Sequence, residues 1–322
     1  MIVEGFDIDL GGLTVFPGHI NAHDHLDFAL FPRLGRGTYP NATAWARDIY
    51  HPEQLPIAEH LRVPKPIRMR WGGLRNLLAG VTTVSHHNPY EPVFDDNFPI
   101  RVVKNYGWAH SLAFEEDVRA RFDATPEGAP FLIHAAEGTD AASAQELFEL
   151  DRLGVLTDRT VLIHAVGLDE AGWQLVRARR VSVITCPRSN CFTLGRTAAI
   201  PIDIPTALGT DSAITSEGDF LDELRASETK HGCASKILRL APTTDFQAAR
   251  GFGQQPELVV IGERIQLISP RLAEALPAAL RSKLFPLHIE TRVPALVRCN
   301  IPQLMGITPL PEIRLAGRLV VQ

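Results

Sequence analysis

Eight short runs of apolar and β-branched residues, at 18–23, 80–85, 100–104, 107–112, 131–135, 160–165, 181–186 and 206–210, punctuate the first two thirds of this chain. Segments with helical character lie between most of them, at 68–79, 115–122, 140–153 and 168–179, and another follows the last at 217–230. Two of these carry apolar residues at three-to-four spacing: Ala144, Leu147, Phe148 and Leu150, then Leu168, Trp173, Leu175 and Val176. Strands alternating with helices argue for a parallel sheet covered by helices, and eight is the number of strands that closes an α/β barrel. A chain of 322 residues has volume for such a barrel and a small appendage. The irregular place is 100–112, where two strands are separated by too little chain for a helix. The expected fold is therefore α/β, a (β/α)8 TIM-like barrel irregular around its third and fourth strands, with an open sheet as the alternative.

Beyond about residue 254 the pattern changes. Pro256-Glu257-Leu258-Val259-Val260-Ile261-Gly262 and Ile313-Arg314-Leu315-Ala316-Gly317-Arg318-Leu319-Val320-Val321 read as strands with Pro-rich connections between them, and the first fifteen residues also read as extended. The expected division is a small flanking β domain from 1–16 and 254–322, beside a barrel over 17–253. The net charge of −5, with no basic stripe or long charge run, disfavours nucleic acid and anionic membranes as partners and suits a small-molecule substrate. Four cysteines (186, 191, 233 and 299) make no disulfide framework, the N-terminal residues lack signal-peptide character, and no apolar run reaches membrane-spanning length. A cytoplasmic location is expected.

The chemistry sits where the expected strands end. The first ends in His23-Asp24-His25, and alternate residues of a strand point to one side, so both imidazoles can face one ion. With 12 His in the chain, chance alone supplies roughly 0.4 such pairs, so the motif gains its meaning from its companions at later strand ends. Phe131-Leu132-Ile133-His134 ends a strand and Glu137 lies three residues later; Val161-Leu162-Ile163-His164 ends the next; Ala207-Leu208-Gly209-Thr210-Asp211 ends the last. Barrel enzymes keep their catalytic groups on this rim. Three His and one Asp suit a divalent transition ion such as zinc, with iron the alternative, and leave a position open for water. Taken singly, Asp211 reads equally as a helix cap and Glu137 as a solvated loop residue.

The ordered set Pro17-Gly18, His23-x-His25, His134-x-x-Glu137, His164, Cys186-Pro187-x-Ser189-Asn190 and Gly209-Thr210-Asp211-Ser212 resembles the amidohydrolase superfamily, in the branch of cytosine and guanine deaminases and triazine hydrolases. The resemblance covers roughly residues 1–230. It implies a barrel with a flanking β-sandwich, one zinc or iron ion held by His23, His25, His134 and Asp211, and a homodimer as the assembly. It also implies that Glu137 moves protons between water and leaving group, with His164 touching water or substrate. A bound divalent ion lowers the pKa of water from ~15.7 to about 7, and the hydroxide so formed needs an electrophilic carbon and a proton for the departing amine. The expected function is deamination of a small nitrogen heterocycle. The alternatives are hydrolysis of a cyclic amide or another C–N or C–Cl bond, and a silent binding scaffold. His86, His87 and His110, each near a strand end, are candidates for substrate contact or for buried structural roles. Ser189 and Asn190 read as loop supports, and Cys186 and Cys191 as buried small apolar residues rather than a second metal site.

Overall fold

The computed structural model of the chain describes residues 1–227 and 234–321. Cys233, positions 228–230 of the helix expected at 217–230, and the last residue of the expected 254–322 segment lie outside the described residues. All eight expected runs carry a strand: β1 (His19–Asp24), β2 (Val81–His86), β3 (Arg101–Val102), β4 (Gly107–Ala109), β5 (Phe131–Ala135), β6 (Thr160–His164), β7 (Ser182–Thr185) and β8 (Thr206–Leu208). β1, β2 and β3 pair in parallel as one sheet, and β4 through β8 pair in parallel as a second. β8 returns to β1 through a parallel bridge between Asp24 and Asp211, with Thr210 N–H donating to the His23 carbonyl (2.9 Å) and His25 N–H to that of Asp211 (3.1 Å). The ring therefore closes where its first and last strands meet, as the barrel expectation requires.

Between β3 and β4 the connection is four residues, 103–106, and contains no helix. Among the described residues no strand ladder joins β3 to β4. Tyr106 packs at this seam, its hydroxyl donating to the backbone carbonyls of His86 and Asn88. Elsewhere the alternation of strand residues sorts two cores. Ala22, Leu132, Val161, Ile163, Ile184 and Ala207 fill the barrel interior with Ile237 and Leu238. Phe131, Ile133, Leu162 and Val183 face outward onto Leu147 and Leu150 of one helix and Trp173 and Val176 of the next. Phe148, expected on that apolar face, is instead solvent-exposed.

The helices start where short polar side chains cap them. Asn41, Asp140 and Asp169 each accept an N–H from three residues on, opening α1 (Ala42–Ile49), α2 (Ala141–Arg152) and α3 (Glu170–Arg179). α4 (Pro187–Leu194) begins with proline, which lacks the N–H that a first turn leaves unused. An eight-stranded antiparallel sheet flanks the barrel; in it Thr14–Pro17 pairs with Phe246–Ala249, and the remaining six strands come from 258–321. Val259, Leu267 and Val297 of this sheet share a core with Trp71, Leu74 and Leu77 of the helix Lys65–Leu77. No helix among the described residues is long and apolar enough to cross a membrane.

Candidate metal and acid–base site

Four strand ends deliver donor groups to one point on the barrel rim. His23 near the end of β1 and His25 just after it bring their ring centroids within 5.0 Å of each other, while Asp24 between them meets Asn76 instead. The Asp24 carboxylate accepts hydrogen bonds from Asn21, Asn76 (2.7 Å) and the Thr210 hydroxyl (3.0 Å), which anchors the end of β1 to β8. His134 ends β5, His164 ends β6 and Asp211 comes just after β8. Ligand atoms of His23, His134, His164 and Asp211 all lie within 4.8 Å of one another. His25 sits beside this group, its Nε2 3.6 Å from Asp211 Oδ1. This four-donor set contains His164 where the family resemblance pointed to His25.

The spacing suits a small ion. Tetrahedral zinc with bonds near 2.0–2.1 Å places its nitrogen ligands about 3.3 Å apart. Here the Nε2 atoms of His23 and His134 are 3.2 Å apart, and His23 Nε2 is 3.4 Å from Asp211 Oδ1. The outer nitrogens of two rings are engaged away from the centre: His134 Nδ1 with the His110 carbonyl (2.8 Å) and His164 Nδ1 with Asn190 Oδ1 (2.7 Å). A nitrogen that donates outward leaves the other as a lone pair facing inward, the form a metal needs. Burial favours that neutral form, pushing His23 down to about 3 and His134 well below the ordinary imidazole value.

The two acidic groups experience opposite surroundings. Burial pushes Glu137 up to about 7, His164 opposes that rise and Asp211 and Glu146 reinforce it. Its carboxylate is 3.5 Å from His164 Nε2. Burial acts the same way on Asp211, but the hydrogen bond to His23 and the imidazoles that face it outweigh burial and hold Asp211 well below the usual carboxylate range. Asp211 is also oriented, with Oδ2 accepting from Ser189 Oγ (2.5 Å) and Thr215 Oγ1 (2.8 Å) and Oδ1 left toward the imidazoles. Positive φ angles gather here, at Ala136 (51°), His164 (78°), Ala165 (52°) and Asp211 (57°). Left-handed backbone at residues other than glycine is uncommon, and such a cluster marks a rim held in place by its surroundings.

A cavity of about 470 Å³ opens over this group. His25, His134, Glu137, His164 and Asp211 form its polar end, and Phe28, Trp45, Ile49, Trp108, Phe114 and Ile214 supply apolar and aromatic walls. Arg121 also lines it, paired with Glu115 at 2.9 Å. His110 lines the cavity as well as holding His134. His86 and His87 are fully buried and outside its lining. His87 Nε2 engages the Ala109 carbonyl at 3.1 Å with its ring 4.3 Å from that of His134, while His86 Nδ1 accepts the Leu26 N–H at 3.3 Å. Of the residues read as loop supports, Ser189 and Asn190 support the site itself, through Asp211 and His164. Their motif is visible in the sequence, but which atoms they hold is set by a helix turn after β7. Thr215 carries no sequence signal. Cys186 is buried as expected, whereas Cys191, also expected to be buried, is exposed.

No protein-family model matches the chain. It is 35% identical over 287 residues to a 5-methylthioadenosine/S-adenosylhomocysteine deaminase of Nitratidesulfovibrio vulgaris strain Hildenborough, covering 73% of this chain and 64% of that protein. A protein of the same name from Syntrophobacter fumaroxidans is 23% identical over 320 residues, covering 81% of this chain and 73% of that one. Among solved structures, an adenosine deaminase from Xanthomonas campestris with bound zinc superposes with a TM-score of 0.60 at 17% identity, covering 84% of each chain. A triazine hydrolase from Arthrobacter aurescens gives 0.66 at 14% identity, covering 92% of this chain and 87% of that one. The two solved structures share the fold of this chain.

Proposed function

We propose, from the premise that the chain belongs to the deaminase branch of the amidohydrolase superfamily, that it is a metal-dependent hydrolase which replaces the exocyclic amine of a nitrogen heterocycle by oxygen. The substrate class we assign is an adenosine-type nucleoside with a small 5′ substituent. The observation that carries the reading is the convergence of His23, His134, His164 and Asp211 donors within 4.8 Å, with His25 Nε2 3.6 Å from Asp211, beside a Glu137 carboxyl that burial pushes up to about 7. His23, His25, His134 and Asp211 are assigned as the residues that hold the ion, zinc in preference to iron. When bound, a divalent ion there supplies Lewis acidity and makes water acidic enough to react at neutral pH.

The remaining work falls to side chains. Glu137 passes a proton from the attacking water to the departing nitrogen, so that the water oxygen bonds to the ring carbon, the C–N bond breaks and the oxo product and ammonia result; general acid–base help of this kind is worth ~10²–10⁴ in rate. His164, held by Asn190 and 3.5 Å from Glu137, faces the reacting carbon. The aromatic walls receive a flat heterocycle and exclude bulk water. His110 borders the substrate, while His86 and His87 buttress the site from behind.

The test pairs metal content with ammonia release. Protein purified without chelator is expected to hold about one zinc per chain, lost in His23→Ala and retained in Glu137→Gln. Zinc-loaded wild type is expected to release ammonia from 5′-methylthioadenosine and 5′-deoxyadenosine faster than from aminotriazines. Absence of release across adenosine-type, pyrimidine, triazine and pterin amines, with zinc and with iron, would sink the deaminase reading.

A further inference from the structure

Glu137 stands in a loop, 136–139, that has no regular structure of its own, yet its backbone is held from several directions. The Ala136 N–H donates to Glu146 Oε2 (2.7 Å) and the Ala136 carbonyl accepts from Gly167 N–H (2.8 Å). The other restraints come from a segment almost a hundred residues earlier: Ala42 N–H donates to the Glu137 carbonyl (2.9 Å), and Thr139 N–H to the Pro40 carbonyl (2.7 Å). Asn41 and Gly138 face each other across this antiparallel bridge. The approach is so close that a Cβ on Gly138 would lie 2.0 Å from Ser143 Oγ and 2.8 Å from the Pro40 carbonyl oxygen.

Asn41 ties the bridge together. Its Oδ1 accepts the Ala44 N–H (2.8 Å) and so caps α1, while its Nδ2 donates to Asp140 Oδ2 (2.6 Å). Asp140 in turn caps α2, its Oδ1 accepting from Ser143 N–H (2.9 Å) and the Ser143 hydroxyl (2.7 Å). One side-chain amide therefore joins the N-termini of the helix that covers the cavity and the helix that comes after Glu137. α1 has no fully buried residue; Trp45 and Ile49 pack, partly buried, against the cluster of Phe31, Ile57 and Ile214 and enter the cavity wall, while the Asn41 hydrogen bonds fix where the helix begins.

We infer that Asn41 is a positioning residue for Glu137, and that the cap-to-cap link to Asp140 makes the covering helix and the acid's loop one mechanical unit. The inference rests on the assignment of Glu137 as the proton carrier. Asn41→Asp keeps the capping oxygen and removes the N–H donor; Asn41→Ala removes both. In the zinc-loaded full chain both variants are expected to lower kcat for 5′-methylthioadenosine by about 10- to 100-fold, the scale of a misplaced catalytic group. KM is expected to change less than kcat, and zinc content to match wild type. In a Glu137→Gln background Asn41→Asp is expected to add less than a further twofold, because the group it positions is already gone. Amide hydrogen exchange at Ala42 and Thr139, which needs no substrate, is expected to speed up in both variants. Unchanged kcat in Asn41→Asp, or an equal fold-loss in the Glu137→Gln background, overturns the positioning role. Full turnover by Glu137→Gln alone would instead overturn the functional assignment on which it rests.

Discussion

The loop after β5 and the turn after β8 each present a largely buried carboxylate to the same few ångströms of space, and the two are prepared oppositely. The Glu137 carboxyl accepts no hydrogen bond from a hydroxyl or amide among the described residues, its near neighbour being His164 Nε2 at 3.5 Å, and burial pushes it up to about 7. Asp211 accepts two hydroxyls on one oxygen and faces His23 and His25 with the other, and it stays ionised. The contrast teaches that burial alone does not set the state of an acid; its partners do. Two carboxyls whose surroundings push them apart can divide labour, one as a permanent anion and one as a carrier of protons.

Removing either carboxylate breaks the contrast from one side. Asp211→Ala is expected to have the largest effect, abolishing both stoichiometric zinc in elemental analysis and measurable ammonia release. Glu137→Gln comes next, lowering kcat by ~10²–10⁴ with zinc retained; zinc loss in this variant would show that the two acids are not divided as described. Ser189→Ala sharpens the comparison by loosening Asp211 without removing it. Loss of such an orienting hydroxyl should weaken zinc affinity by about 10–100-fold, read in a chelator competition.

The smallest effect concerns a third buried acid. Burial pushes Glu223 up to about 8, with Arg188 and Ser216 opposing the rise. A carboxyl whose folded value is raised contributes stability below its unfolded value, and that contribution is lost as pH climbs through the folded one. Between about pH 5 and 8, therefore, the melting temperature of wild type should fall relative to Glu223→Gln. Parallel melting curves across that window would show that Arg188 already holds Glu223 ionised.

Much of this architecture is legible in the sequence. Eight apolar runs become eight strands, because strands buried on both faces of a barrel must be apolar nearly throughout. The polar residues that end those runs become the rim group for the same reason, since only strand ends are free of the requirement. What stays hidden depends on long-range placement. Asn41 reads in the sequence as a cap for a short amphipathic helix at most, and its partner Asp140 is 99 residues away. His86 and His87 read alike in sequence, being adjacent, yet one meets Phe94 and the other the ring of His134. The length of the connection at 103–106 marks it as irregular, but does not reveal that the ladder stops there.

That interruption has a topological meaning. A hydrogen-bonded hoop with one open joint is a strip whose ends are held together by side chains, and its joint falls between Lys104 and Asn105, both exposed. Cutting there leaves one piece with three barrel strands, bearing His23 and His25, and another with five, bearing His134, Glu137, His164 and Asp211, with no strand severed. Neither fragment owns a complete catalytic rim, so the two would have to find each other before any chemistry could begin.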